Sequence, residues 1–335
     1  MERYARQIVL PFVGPEGQAK LAAAKVTVVG CGALGTVSAE LLVRAGVGCV
    51  QVIDRDVVEL SNLQRQLLYT ERDAALRLPK AVALTAHLKA INSSVEVLGV
   101  VADFSGSKAK KLLAGSTAVI DATDNYATRF TINDACLELG LPWAYGGALG
   151  SRGMTATFRP GGACFRCLFS ELPALGAGDS CELTGVLASV TAIVGSLQVT
   201  EAIKLIVAPE LVRGNVLEFD VWQGGFHTFS LKRDAACPAC QGGQRLFLAD
   251  DSAAQTSVIC GRNSVLLYSG TDEVDLPALS RVLAAKGLEV KETKYSLRVE
   301  FLEREVIVFS DGRALVNGTS DVHEARRVFQ AALGT

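Results

Sequence analysis

Short apolar runs alternate with stretches of helical periodicity through the first two thirds of the chain. The run Val26 to Val29 meets a glycine-rich turn, a second run ends at Asp54, and further runs at 95–101 and 118–121 are separated by helical patterns near 81–91 and 107–113. Strand and helix in repetition predict an α/β fold: a Rossmann-like, doubly wound and mostly parallel sheet, covered on both faces. A helix over about 129–139 precedes strands at 143–147, 154–159 and 216–220, some of them antiparallel, which extend the sheet. Residues 1–23 read as an amphipathic helical arm, 174–179 as a mobile Gly/Ala loop, and 185–207 as a long buried helix. Beyond 240 the pattern changes. A polar stretch at 241–255 reads as a linker, and 256–335 as a small α+β domain: strand 257–268, helix 276–286, three short strands between 288 and 316 with an Asp311-Gly312 hairpin turn, and helix 322–332.

With 335 residues and 49% hydrophobic content, the chain can bury a large core. The longest apolar stretch, 185–199, is broken by Ser189, Thr191, Ser196 and Gln198 and followed by Glu201 and Lys204, so it reads as too short and polar for a membrane span. The first residues show no signal-peptide pattern. A net charge of -2 offers no basic surface for direct nucleic-acid binding. Nine cysteines, four of them in two CxxC pairs, do not resemble a secreted disulfide framework and point to a reducing cytoplasm.

The turn Gly30-Cys31-Gly32-Ala33-Leu34-Gly35 lies between a strand and a helix, where backbone amides can approach phosphate, and Asp54 sits where an acidic residue can accept from ribose hydroxyls. An NAD-dependent oxidoreductase shares that much. It has no use for the polar cluster Ser61-Asn62-Leu63-Gln64-Arg65-Gln66, in which a guanidinium and carboxamides can meet a triphosphate, or for Lys80 as a further point charge. The bland reading is a charged loop and a helix-starting lysine after Pro79. Asp121-Ala122-Thr123-Asp124-Asn125 emerges at a strand's carboxyl end, where one carboxylate can hold magnesium; the alternative is a helix N-cap by Asp124 or Asn125. Cys164, Cys167, Cys237 and Cys240 form two knuckles that suit structural tetrahedral zinc. Cys181 stands alone on a loop, as a nucleophile or as an inert thiol. The other cysteines read as packing residues, and the three histidines show no metal spacing.

Taken in order, Arg3-Tyr4-Ala5-Arg6-Gln7, GCGALG, Asp54, SNLQRQ, Lys80, DATDN and the two CxxC pairs resemble the ThiF/MoeB/HesA adenylyltransferases, bacterial relatives of ubiquitin-activating enzymes, over roughly 1–240. The resemblance implies ATP and Mg2+ as cofactors, with adenylation of the C-terminal Gly-Gly carboxylate of a ubiquitin-like sulfur-carrier protein of the ThiS or MoaD type. Such carriers serve thiamine, molybdopterin or thiolated-tRNA synthesis, with a sulfurtransferase or cysteine desulfurase as further partner. By position, Gly30, Gly32, Ala33, Gly35, Ser61 and Asn125 would line the nucleotide pocket, Asp54 would bind ribose, Asn62, Arg65 and Lys80 would contact phosphates, and Asp124 would hold magnesium. Arg6 matches an arginine inserted into the partner subunit's site, which implies a homodimer. Cys181 aligns with a loop cysteine that forms a sulfur-linked adduct in some members. Ala33 departs from the family's glycine, the stretch from Gln66 to Lys80 looks slightly long, and the C-terminal domain is too short for a rhodanese. Rival readings are the oxidoreductase, a zinc-stabilised carrier-binding scaffold without chemistry, and adenylation of a small molecule or tRNA base.

Overall fold

The structure, a computed structural model, describes residues 2–170, 184–249, 256–258, 263–268, 274–310 and 312–333. Two compact units divide the chain, Met1–Ala249 and Asp250–Thr335. In the first, the strands β1 (Lys25–Val29), β2 (Cys49–Asp54), β3 (Glu96–Val101), β4 (Ala118–Asp121), β5 (Trp143–Leu149), β6 (Arg152–Phe158), β7 (Asn215–Asp220) and β8 (Gly225–Ser230) form one eight-stranded sheet. Their order is β3-β2-β1-β4-β5-β6-β7-β8; the first five are mutually parallel and the last three antiparallel. The expected doubly wound sheet with an antiparallel extension is therefore present. β8 is an addition that the apolar pattern misses, because its residues are nearly all exposed and carry no buried stripe.

Helices cover both faces because the parallel strands are joined by crossovers. One face packs under α2 (Gly14–Ala23), α3 (Ala33–Ala45) and α5 (Lys80–Ile91), with α4 (Glu71–Ala75) in the same crossover as α5 and the short α1 (Ala5–Ile8) lying against α2. The other carries α6 (Gly106–Leu113), α7 (Tyr126–Leu139) and α8 (Phe165–Leu168), around buried Phe130, Trp143 and Phe165. The N-terminal arm is not one helix, since the chain breaks between Ile8 and Gly14.

The helix expected over 185–207 is α9 (Ala188–Val207), and here the membrane argument needs correction. The helix runs past Val199, and an 18-residue window with mean hydropathy 1.6 makes it long and apolar enough to cross a membrane by length and composition. Its polar groups have partners within the unit. Gln198 Nε2 donates to the Asp121 and Ala144 carbonyls at 2.6 and 3.1 Å, and buried Glu201 accepts from Lys204 and Arg213 at 2.8 and 2.9 Å. The helix lies against α2, α3 and the strands β4 to β6.

The expected linker also begins later than 241. α10 (Leu246–Ala249) closes the first unit, with Phe247 stacked on Phe130 at 4.8 Å and its amide donating to Asp134 at 3.1 Å. Three apolar residues inside a polar stretch are enough to keep it packed.

The second unit has its own core around Val265, Leu283, Leu297, Val306 and Phe329. Its sheet has six strands, β9 (Thr256–Val258), β10 (Ser264–Tyr268), β11 (Val290–Glu292), β12 (Ser296–Phe301), β13 (Arg304–Phe309) and β14 (Arg313–Asn317), in the order β11-β12-β13-β14-β10-β9. The strand expected over 257–268 is thus two strands, paired antiparallel, so the chain reverses between them. Four strands, not three, fill 288–317, because Leu302 and Glu303 turn the chain with φ of 50° and 58°. Asp311 of the expected hairpin turn lies outside the described residues; Gly312 has φ +80°. Helices α11 (Leu276–Ala285) and α12 (Val322–Leu333) complete the unit.

Candidate active site

The strand order reverses direction between β1 and β4, and in open α/β sheets a crevice at the strands' carboxyl ends opens at such a point. The glycine turn and the DATDN segment meet there. Gly30 has φ +98°, and a side chain on it would place Cβ 2.5 Å from the Ala122 carbonyl oxygen; one on Gly35 would lie 2.0 Å from the Gly30 carbonyl oxygen. These two glycines are demanded by backbone packing. Gly32 is different. Its nearest neighbour in that direction is the Gln66 amide nitrogen at 3.9 Å, so a methyl group there would meet only ordinary contact with the end of one side chain. It is the N-cap of α3, Ala33 is the first helical residue, and no side chain caps the helix, leaving its first N–H groups for an anion.

Asp54 holds the turn. One carboxylate oxygen accepts from the Cys31 amide at 2.6 Å and the other from the Asp56 amide at 2.7 Å. A carboxylate has about four lone-pair positions, so ribose hydroxyls can still be accepted. Burial pushes its pKa up, and the charge of Lys80 pulls the other way.

The crossover from Arg55 to Lys80 carries the polar cluster. Asn62 is 1% exposed; its side-chain oxygen accepts from the Glu59 amide at 3.1 Å, while Nδ2 is buried without a hydrogen-bond partner. Gln66 is buried too, its Oε1 without a partner. Ser61 is exposed, and its carbonyl accepts from Arg65 Nη1 at 3.0 Å. Arg65 makes no ion pair among the described residues. The apparent excess length before Lys80 is absorbed by folding. Thr70 and Asp73 cap α4 reciprocally, His87 pairs with Asp73 at 2.8 Å, and Arg77 turns left-handed with φ 48°. The chain then returns to Val58, whose amide donates to the Leu78 carbonyl at 2.8 Å. Lys80 opens α5 at 4% exposure, with its ammonium 3.2 Å from Asp56. The Tyr69 hydroxyl reaches both the Cys31 carbonyl, at 2.8 Å, and the Lys80 carbonyl, at 3.2 Å. Neither Tyr69 nor Asp56 is singled out by any motif.

At the end of β4 the two carboxylates separate in role. Asp121 is fully buried; Oδ1 accepts from the Thr123 amide and hydroxyl at 3.0 and 2.6 Å, and Oδ2 lies 3.5 Å from Arg129 Nε. Burial raises its pKa to about 6 against the pull of Arg129. The Arg129 guanidinium, buried between the rings of Tyr126 and Tyr145 at 5.1 and 5.3 Å, donates to the Thr123 carbonyl at 2.9 Å. Asp124 is exposed and is the carboxylate here that a cation can reach. Asn125 is the N-cap of α7, its side-chain oxygen accepting from the Thr128 amide at 2.9 Å. That is the capping alternative, and it takes one of the two amide functions assigned to the nucleotide.

The four knuckle cysteines converge, all Sγ atoms lying within 4.8 Å of one another. Sulfur separations of 3.9, 3.6 and 3.5 Å match the edge of about 3.8 Å that a tetrahedron of 2.3 Å metal–sulfur bonds requires. These residues fit a tetrahedral thiolate metal. Cys181 lies outside the described residues. Arg6 is exposed on α1, which is anchored far from the turn: Gln7 donates to the Ala45 carbonyl at 2.9 Å, at the opposite end of α3 from Gly32. A helix of 13 residues spans about 20 Å.

A family model described as "ThiF family" matches residues 4–239. This chain belongs to the ThiF family. The ThiF-family chain is 41% identical over 337 residues to the sulfur carrier protein ThiS adenylyltransferase of Bacillus subtilis, covering 99% of both proteins. It is 39% identical over 244 residues to the SAMP-activating enzyme E1 of Haloferax volcanii, covering 72% of this chain and 90% of that one. Among solved structures, Escherichia coli MccB with ATP superimposes with a TM-score of 0.63 over 72% of this chain and 74% of the other. At 21% identity that likeness shows the ThiF-type fold alone.

Proposed function

We propose that this chain adenylates the C-terminal Gly-Gly carboxylate of a ubiquitin-like sulfur-carrier protein with MgATP, releasing pyrophosphate. The observation that carries the reading is the full-length match to a ThiS adenylyltransferase. The residues support it: the glycine turn meets the DATDN segment at the switch point, Lys80 is buried behind the turn, Arg65 makes no ion pair among the described residues, and Asp124 is exposed. An oxidoreductase would not use that set of charges.

The carrier's carboxylate attacks the α-phosphate in line, the bond to the bridging oxygen breaks, and pyrophosphate leaves. The nucleophile is already ionised, so no general base is needed. The turn amides and Asp54 orient the nucleotide, while Arg65 and Lys80 face the phosphates and stabilise the charge that develops there. Asp124 would hold magnesium, which would supply charge neutralisation at the phosphates. Arg6 serves the site of a second subunit in a homodimer, because its anchorage at the far end of α3 keeps it from its own. The four-cysteine cluster holds a structural zinc. Cys181 attacks the carrier's acyl-adenylate, its sulfur bonding the carbonyl carbon as the bond to AMP breaks and AMP leaves, and a sulfurtransferase or cysteine desulfurase is the further partner. The free thiols suit a cytoplasmic setting.

Carrier-dependent ATP–pyrophosphate exchange tests the reading. Addition of a Gly-Gly-ending carrier should switch exchange on, and removing its last glycine should abolish it. If no such protein encoded by the host stimulates exchange, the assignment is wrong.

A further inference from the structure

Three stretches of chain supply the groups assigned to the nucleotide: the turn at 30–35, the crossover at 61–66 and the start of α5 at Lys80. One buried side chain touches two of them and belongs to the continuation of the third. Tyr69 is 7% exposed and follows the polar cluster directly. Its hydroxyl lies 2.8 Å from the Cys31 carbonyl and 3.2 Å from the Lys80 carbonyl, so a single proton is shared between the turn and the helix start. Among the described residues no other group donates to the Cys31 carbonyl, while the amide of the same residue is held by Asp54 at 2.6 Å. The turn residue Cys31 is thus held on both sides, its amide by the Asp54 carboxylate and its carbonyl by a phenol that also bonds the backbone at the start of α5. Burial keeps that phenol protonated, so it remains a donor.

We infer that Tyr69 is a positioning residue for the adenylation site: its hydroxyl sets the distance between the glycine turn and Lys80, so that the ammonium and the turn amides act on the same triphosphate. It touches neither substrate nor reacting atoms. The inference rests on Lys80 contacting phosphate, and it goes beyond that assignment by saying what holds the lysine there. The surroundings exclude a simple packing role for the hydroxyl. A phenylalanine would fill the same apolar space against the first core and leave the Cys31 carbonyl buried without its donor, a cost normally seen as local movement toward a new partner.

The test is a double-mutant cycle with Tyr69→Phe and Lys80→Ala, read both as the MgATP dissociation constant by calorimetry and as carrier-dependent exchange. Tyr69→Phe alone should weaken MgATP about fivefold and slow exchange about tenfold, whereas in the Lys80→Ala background each effect should shrink below about twofold, because coupled residues are non-additive. A residue that merely fills the core would give equal fold-changes in both backgrounds, and that result overturns the inference. So does a Tyr69→Phe protein that binds and turns over like the wild type. If the wild type binds MgATP but drives no exchange with any carrier, the carrier assignment falls while the calorimetric cycle still decides the role of Tyr69. If MgATP does not bind at all, both are wrong. Thermal melts of all four proteins, with Tyr69→Phe expected to stay folded at the assay temperature, separate loss of positioning from loss of structure.

Discussion

Three glycines in one turn do three different jobs, although in the sequence they look alike. Gly30 passes the Ala122 carbonyl in a left-handed conformation, Gly35 lies against the Gly30 carbonyl, and Gly32 faces only the end of the Gln66 side chain, at 3.9 Å. Gly35→Ala should therefore destabilise strongly, by about 3 kcal/mol or more, since a rigid backbone cannot make room for the methyl group. Gly32→Ala should change stability by no more than about 0.5 kcal/mol, its φ of -80° being open to any residue, yet it should weaken ATP where the methyl meets the ligand. Denaturant titration and ATP binding on the two variants check this; equal stability losses would show that Gly32 is a packing glycine too. The turn's ligand role is legible because strand, glycine and helix follow one another within a dozen residues. Tyr69 is not, because its partners lie 38 and 11 residues away and no spacing rule connects them.

The junction between β4 and α7 is where the residue reading and the observed element diverge most instructively. Two aspartates three apart look equivalent on paper, but the strand ends inside the core at the first and reaches solvent at the second. Asp121 is thereby tied to the backbone of its own loop and to Arg129, and only Asp124 is left for a cation. Because the pKa of Asp121 is raised from 3.8 to about 6, folding takes up a proton between those values. Its contribution to stability is fully present below about pH 4 and is lost as pH rises through 6. Replacing it by asparagine removes the titration. The stability difference, wild type minus Asp121→Asn, should therefore be more favourable to the wild type at pH 4.5 than at pH 7.5, by about 2 kcal/mol. A difference that does not change with pH would mean that Asp121 titrates normally. The placement of Lys80 has a similar lesson. The long stretch before it becomes informative only once Thr70 has capped α4 and Arg77 has turned the chain back onto β2's continuation, events governed by caps and a left-handed residue with no apolar pattern to announce them.

On the scale of the whole molecule, every described site residue falls in the first unit, and the second unit has its own core and lies within the span matched to the Bacillus relative. Arg6 is the exception in kind. Its helix is fastened at the end of α3 remote from the turn, so the proposed homodimer makes a sharp prediction: Arg6→Ala should lose about 10²-fold in exchange rate, the cost of one preorganised charge contact. Mixing it with the impaired Lys80→Ala protein should raise activity above that of either variant alone, since one of the two sites in a mixed dimer then has both groups. Failure of the mixture to recover activity, with subunit exchange verified, would place Arg6 outside the neighbouring site. The cysteine cluster also acts at this scale. Its two halves lie 73 positions apart, and the chain between them carries α9, β7 and β8, so a metal joining the knuckles closes a long loop around those elements. Uptake of a metal into a tight four-sulfur cage would therefore report closure of that loop: a chain in which it is open should hold its ion by one knuckle, loosely and exchangeably, and the moment at which a chelator can no longer strip it marks the joining of the two knuckles.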